Sequence, residues 1–350
     1  MKKSAPSKPP DTPIDSPPVL QTPSGNAISV AWAVSAPATG WVEYGPTPDL
    51  GLKALPQDHG LRPYADRFLS ARITGLEPGQ KVYYRTAAVP VTFTTPYDIE
   101  RGAPVVGEIH SFVTPDPAGD QTTFAIINDT HEKKDTLVSL MEQLGESPED
   151  VLIWNGDLFD AVISEEQIVE QVLRPAGAAY AADRPVLFTR GNHDVRGPVA
   201  RKLDQAIIPW TDEFPLSRCF AVRFGPVAFI GLDTGEDKPD RHPGFAGLAG
   251  FEPYREAQRD WLADALKRPE IVDAPHLVVV CHIPLWGLPG DNGGDTMEGY
   301  AFYCKQARDL WHPLLKQAGA QIVISGHRHK FRCDEPTDER PGEVPIVVET

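Results

Sequence analysis

The sequence predicts two successive folds, a small all-β sandwich and then a layered α/β domain, and three observations carry that prediction. Between residues 27 and 113, short segments alternate apolar and polar positions with a period of two and are punctuated by Gly and Pro, as half-buried antiparallel strands are. From Thr123 onward, unbroken apolar runs alternate with stretches whose apolar residues fall at helical spacing, the rhythm of a largely parallel sheet covered by helices. The stretch 115–120, bearing Pro and Gly, separates the two rhythms as a linker. A flexible Pro-rich arm is therefore expected at 1–18, the sandwich at 19–117 and the α/β domain at 121–350.

Composition bounds the function. A chain of 350 residues with 41% hydrophobic content is long enough for two packed cores. Its formal net charge of -16 excludes a surface built to condense on nucleic acid or anionic lipid, because such polyanions are bound by neutralising phosphates with Lys and Arg. Phosphate recognition has to be local. Cys219, Cys281, Cys304 and Cys333 lie far apart with no Cys-x-x-Cys pair, which excludes a zinc ribbon and a dense disulfide framework. No run approaches the roughly 18 apolar residues of a membrane-spanning helix, so a soluble protein is expected. Met1-Lys2-Lys3 offers the cationic start of a signal peptide, but 4–18 is studded with prolines and has no apolar centre. A mature extracytoplasmic form is favoured, with a cytoplasmic one as the alternative.

Taken in order, the arm is restricted to extended shapes by its prolines. Strands are expected at 27–32, 41–44, 68–73, 82–85 and 108–113, with Trp32 and Trp41 in the core. In the second domain the apolar runs 124–127, 151–154, 186–188, 227–230, 277–280 and 322–324 read as buried strands, and 345–350 as one more. Leu137, Leu140, Met141 and Leu144 mark a helix, and Ser164 with Gln167 forms a capping box for the next. Trp261, Leu262 and Leu266 mark another, as do Leu310, Trp311, Leu314 and Leu315 before the stop at Gly319.

Groups that bind metals follow five of these runs at once. Asp129 and His131 follow the first, Asp157 and Asp160 the second, Asn192 and His193 the third, His282 the fifth, and His327 with His329 the last. Singly, each cluster has a plain explanation as a turn, a helix cap or a satisfied core histidine. Together, at the strand ends of one sheet, they point to one centre. Carboxylate oxygen with imidazole nitrogen suits manganese, iron or zinc, whereas an all-oxygen set would suit magnesium or calcium. Asp129 and His131, two residues apart in an extended segment, are expected to face the same side and chelate one ion, and His327 with His329 to reach one cavity.

The order Asp-x-His, Gly-Asp-x-x-Asp, Gly-Asn-His-Asp, His and Gly-His-x-His between Asp129 and His329 resembles the calcineurin-like metallophosphoesterases. That resemblance implies a four-layer α/β/β/α sandwich of two mixed sheets flanked by helices, with a two-metal centre at the strand ends. It also implies that Asp129, His131, Asp157 and His329 hold one ion, that Asp157 bridges, and that Asn192, His282 and His327 complete the second site. The turn Gly75-Leu76-Glu77-Pro78-Gly79-Gln80 resembles the Leu-x-Pro-Gly corner of fibronectin type III domains, and with residues 42–50 it resembles the N-terminal domain of purple acid phosphatases. Val82 stands where that family places its corner tyrosine, so the hydrogen bond across the corner is either lost or made by Tyr83 or Tyr84. Asp160 stands where purple acid phosphatases carry a tyrosine, and His131 where they have no histidine, so no purple colour is expected.

The function expected is hydrolysis of phosphate monoesters by hydroxide bound between two divalent or mixed-valence ions of Mn, Fe or Zn. The resemblance gives His193 the proton or the developing charge of the leaving oxygen, with Asp160 orienting its ring. Arg190, Arg196 and Arg328 lie beside the motifs and offer contacts to phosphate oxygens, with surface salt bridges as the alternative for each. The Gly-rich stretch 288–295 reads as a mobile loop over the mouth of the site, with His242 at its edge. Cys281 reads as a buried apolar residue. A phosphorylated small molecule is the expected partner, without nucleic acid, and the N-terminal domain leaves a carbohydrate or protein partner open. Two competing readings stand beside this one. A phosphodiesterase acting on nucleotides or lipid head groups would use the same centre with other walls, and a non-catalytic binding protein would use the metals for folding alone.

Overall fold

The computed structural model describes residues 13–147, 149–210, 216–286, 300–334 and 346–348. The chain forms two compact units. The first combines residues up to Thr114 with Glu165–Pro185 and Lys202–Ile208, and the second combines Pro115–Ser164, Val186–Arg201 and the chain from Pro209 onward.

The first unit contains strands β1 (Val19–Ser24), β2 (Ala27–Ala33), β3 (Ala38–Gly45), β4 (Leu52–Ala54), β5 (Phe68–Thr74), β6 (Lys81–Thr95), β7 (Asp98–Arg101), β8 (Val105–Val106) and β9 (His110–Val113). β2 lies between β1 and β5 in one antiparallel sheet. β3 lies between β4 and β6 in the other, and the far edge of β6 carries β9, β8 and β7 in turn. Val30, Trp32, Val42, Leu69, Ile73, Val82 and Phe112 form the core. Every residue of β2 is buried, although alternation predicts one solvated face. The helical segments Val169–Leu173 and Leu203–Ala206 pack against that strand, where Ala27, Ser29, Ala31 and Ala33 alternate with the core side chains. Ser29 is satisfied there by the Thr22 hydroxyl at 2.7 Å and by Arg72 at 3.1 Å. Tyr84 does not close the fibronectin-type corner; its buried hydroxyl donates to the Ala182 carbonyl at 2.6 Å.

In the second unit, β10 (Phe124–Ile127), β11 (Val151–Asn155) and β12 (Val186–Thr189) pair in parallel, and the helix Lys134–Gly145 connects the first two. The other sheet contains β13 (Phe220–Phe224), β14 (Val227–Leu232), β15 (His276–Cys281), β16 (Ile322–Ser325), β17 (Arg332–Asp334) and β18 (Ile346–Val348). Its order is β13-β14-β15-β16-β18-β17, parallel from β14 to β18 and antiparallel at both edges. Ile153, Leu187, Phe220, Phe229, Val278 and Val280 pack between the two sheets. Ile230, Val279, Leu262, Trp311 and Leu315 pack the second sheet on the helices Phe251–Ala265 and Tyr300–Gln317. The result is the expected order of helix, sheet, sheet and helix. β11 and β14 are buried throughout, which is why they read as unbroken apolar runs.

The end of the Pro-rich arm is fixed in the first unit. Ile14 pairs with Val34, and the Asp15 carboxylate meets Arg67 at 2.5 Å and Arg174 at 2.6 Å. Burial works against the Asp15 charge, but Arg174 and Arg67 outweigh it and hold the carboxyl below its ordinary range. A carboxyl depressed in the folded state stabilises above its unfolded pKa of about 3.9, and that contribution is lost as pH falls towards the folded value. Asp15→Asn is therefore expected to cost about 1–2 kcal/mol near neutral pH in urea denaturation, and the gap to the wild type should narrow as pH falls below the unfolded value. A gap that does not change with pH would remove these ion pairs from the stability of the unit.

Candidate metal centre

The chemically active groups lie just past the C-terminal ends of parallel strands. Asp129 and His131 follow β10, Asp157 and Asp160 follow β11, Asn192 and His193 follow β12, His282 follows β15, and His327 and His329 follow β16. Among the described residues, three overlapping groups gather: Asp129, His131 and His329; Asp157, His282 and His327; and His131, Asp157 and His193. Within each group the donor atoms lie within 4.8 Å of one another. Asn192 joins the second through Oδ1, which accepts from His327 Nδ1 at 2.8 Å. Asp157 stands between groups, with Oδ2 3.6 Å from His131 Nε2 and 3.1 Å from His282 Nε2.

The backbone reaches this arrangement through left-handed turns and not through strand alternation. Asp129, His131, Glu132, Asp157, His327 and His329 all have positive φ, between 41° and 76°. The extended segment expected at Asp129 to His131 is thus a tight turn, which still brings His131 Nε2 to 3.8 Å from Asp129 Oδ1. Each such conformation costs a non-glycine residue on the order of 1–2 kcal/mol, so tertiary bonds must hold it. The buried Asp194 carboxylate accepts from the main-chain N–H groups of Asp157 (2.9 Å), Leu158 (2.8 Å), Phe159 (3.3 Å) and Gly191 (2.8 Å). Asp157 Oδ1 accepts from His193 N at 2.8 Å, and Asp129 Oδ2 from His327 N at 2.9 Å. Gly191 is required by close approach, because a Cβ there would meet Asp157 Oδ1 at 2.1 Å.

The donor set fits cations. His282 is 0% exposed, and its Nδ1 bonds to the Asn155 carbonyl at 2.8 Å, which can only accept. Its Nε2 faces Asp157 Oδ2 at 3.1 Å without the geometry of a hydrogen bond, as an imidazole oriented to ligate a metal does. Burial alone would lower the basicity of His282, but the Asp157 and Asp129 carboxylates outweigh it and push it up to about 10. The cavity therefore favours a cation at this nitrogen, a proton or a metal. Burial also opposes the charges of Asp129 and Asp157, yet His131 for the first and His282 for both hold them below the ordinary carboxylate range. Burial and the neighbouring His282 drive His327 down to about 4, which leaves it a neutral imidazole. His131 Nδ1 lies 2.9 Å from Asp160 Oδ1, a carboxylate contact of the kind that orients a ligating ring. Burial and the Asp157 charge push Asp194 up to about 7, against its N–H donors.

A cavity of about 360 Å³ is lined by His131, Asp157, Asn192, His327 and His329 together with Lys133, Asp160, His193 and Asp237. Both His193 nitrogens are engaged, Nδ1 with the Asp160 main-chain carbonyl at 2.8 Å and Nε2 with Arg196 Nη1 at 3.2 Å. Asp160, expected to orient that ring, meets it through its carbonyl and turns its carboxylate to His131. The four residues expected to contact substrate do not line the cavity. Arg190 Nε donates to the buried Asp233 at 2.8 Å, and Arg196 Nη2 donates to Glu236 and Asp237, both at 2.9 Å. Arg328 is half-buried between His327 and His329, and His242 Nδ1 accepts from Gly244 N at 3.1 Å in a turn. The stretch 288–295 lies outside the described residues. Burial pushes the Cys281 thiol up to about 12, which makes it inert. Lys133, Asp194 and Asp237 are additions to the sequence-predicted site. Asp194 closes the Gly-Asn-His-Asp motif and Lys133 follows Asp129 by four residues, whereas Asp237 lies in no motif.

Residues 122–331 match the family model described as Calcineurin-like phosphoesterase. The human Serine/threonine-protein phosphatase CPPED1 is 27% identical over 179 residues, 50% of this chain and 52% of that protein. The chain spans about half the length of the curated relatives it matches. In fold, purple acid phosphatase PPD1 from yellow lupin seeds is similar with a TM-score of 0.67 at 14% identity, covering 95% of this chain and 64% of that one. PhoD is similar with a TM-score of 0.65 at 14% identity, covering 99% and 78%.

Asp194→Asn places two donors of its own among N–H groups that need an acceptor. The variant is expected to lose about 2–4 kcal/mol of stability and to retain fewer ions per chain than the wild type by elemental analysis after dialysis. Full metal retention would show that Asp194 does not hold the ligand turns.

Proposed function

Because the chain belongs to the calcineurin-like phosphoesterase family, we propose that it is a two-metal phosphatase hydrolysing phosphate monoesters. The observation that carries this reading is the convergence of His131, Asp157, Asn192, His327 and His329 on one cavity that also contains His193. Asp129, His131 and His329 would hold one ion and Asn192, His282 and His327 the other, with Asp157 shared. Their mixed oxygen and nitrogen donors suit manganese, iron or zinc. When bound, two such ions polarise a phosphoryl oxygen and lower the pKa of a water to a usable value.

The chain's own residues bind and orient the ester. Lys133 is the one Lys or Arg lining the cavity among the described residues, and its ammonium is proposed to take a non-bridging phosphate oxygen. Arg190 and Arg196 are committed to carboxylates and leave that task to it. His193 is proposed to meet the leaving oxygen, in the orientation that the Asp160 carbonyl sets at Nδ1. An alkoxide is a poor leaving group, so a hydrogen bond or proton at that oxygen contributes directly to the rate. The name of the human relative, a serine/threonine-protein phosphatase, accords with a phosphorylated hydroxyl as the substrate group.

Protein stripped and reloaded separately with manganese, iron or zinc is expected to turn over an aryl phosphate monoester at least about 10-fold faster than the matching diester. The reverse order would move the assignment to a phosphodiesterase. His193→Ala is expected to keep its metals and lose about 10²–10⁴-fold in kcat, while Lys133→Ala raises KM about 10-fold. Loss of metal in the first variant would make His193 a ligand.

A further inference from the structure

Asn192 and His282, proposed to share one ion, come from two different sheets, Asn192 following β12 of the first and His282 following β15 of the second. The layer between those sheets is apolar, and apolar packing is non-directional. It favours contact but does not by itself fix strand ends to the roughly 0.5 Å that a ligand set requires. Directional bonds have to complete the register.

Asn155, the last residue of β11, makes such bonds, and it is 0% exposed. Its Nδ2 donates to the Cys281 carbonyl at 3.3 Å, and its Oδ1 accepts from the Thr189 hydroxyl at 2.5 Å. Thr189 ends β12 and Cys281 ends β15, so one buried amide joins the ends of three strands. The Cys281 carbonyl only accepts, which orients the amide with its nitrogen to Cys281 and its oxygen to Thr189. The main chain of the same residue acts on the ligand directly. The Asn155 carbonyl accepts the Nδ1 proton of His282 at 2.8 Å, which leaves the lone pair of a neutral ring at Nε2, the atom that faces Asp157. The ring also lies close against the next residue, where a Cβ on Gly156 would meet its Nδ1 at 2.6 Å. His282 is thus held at its main chain through Cys281 and at its ring through the Asn155 carbonyl, with Nε2 left for a cation.

Resting on the two-metal phosphatase reading above, we infer that Asn155 is a positioning residue for His282 and sets the affinity of the ion that His282 holds. The test is a calorimetric titration of manganese into the stripped full chain, as wild type, Asn155→Leu, His282→Ala and the pair. Asn155→Leu keeps nearly the size of the amide, adds no charge and removes both side-chain bonds. It is expected to weaken one of two binding steps about 10–100-fold and to leave the other within about 2-fold. The pair should bind no more weakly than His282→Ala alone. Loaded with a single ion, the two single variants should give the same electron paramagnetic resonance spectrum, since each keeps the other site. Unchanged steps in either single variant, equal weakening of both steps in Asn155→Leu, or losses that multiply in the pair would overturn the inference. Thr189→Val removes the donor to the amide oxygen without changing shape, and serves if Asn155→Leu does not fold. Its expected loss on the same step is about 3–10-fold, and wild-type affinity there would overturn the anchoring. The two-metal reading fails separately if the wild type saturates at one ion. Weakening of that ion in both Asn155→Leu and His282→Ala would then still uphold the role of Asn155, and its absence in Asn155→Leu would end it.

Discussion

The Asp194 carboxylate ties the turn after β12 to the turn after β11, accepting the N–H of Gly191 on one side and those of Asp157, Leu158 and Phe159 on the other. Parallel strands end in a row, roughly 4.8 Å apart, and the turns that follow would lead away into solvent unless something gathered them. Gathering them buries main-chain donors that have lost their ladder partners, and each needs an acceptor. Asp194 supplies one set, and the Asp129 carboxylate supplies another by accepting from His327 N. The ligand residues are then free to occupy left-handed backbone, which aims their side chains at common points instead of along the strands.

The same constraint sets the electrostatics. Two carboxylates, Asp129 and Asp157, are buried together with His282, and their charge keeps that imidazole strongly basic although burial opposes it. Two buried carboxylates side by side favour positive charge between them, which is the property a cation site requires. Around this centre the remaining ionic groups are neutralised locally. Asp233 and Glu236, both almost fully buried, hold Arg190 and Arg196. Lys133 therefore stands as the cation facing the cavity among the described residues. An acidic surface and the proposed anionic substrate are compatible when recognition is confined to this small volume.

Much of this was legible in the sequence, for identifiable reasons. β11 and β14 stood out as unbroken apolar runs because both of their faces are buried, and the candidate metal-binding side chains stood out because each cluster follows such a run. Asp129 and His131 converge as expected but by a different route, a left-handed turn, which no periodicity reveals. The partners of Arg190 and Arg196 were hidden because Asp233, Glu236 and Asp237 lie about forty positions further along, after a strand whose end carries no histidine. Asp160 was visible as a motif residue, yet the division between its carbonyl, which meets His193, and its carboxylate, which meets His131, depends on the fold of the turn. The full burial of β2 was equally hidden, since the segments that cover it come from 169–173 and 203–206.

The proposed sharing of Asp157 between two ions is the point on which this account of the site stands. It is tested most directly by titrating manganese into the stripped full chain and recording the electron paramagnetic resonance spectrum. Two ions held by one carboxylate should give an exchange-coupled spectrum once both sites are filled. Saturation at a single ion, or two ions with independent, uncoupled spectra, would contradict the shared centre.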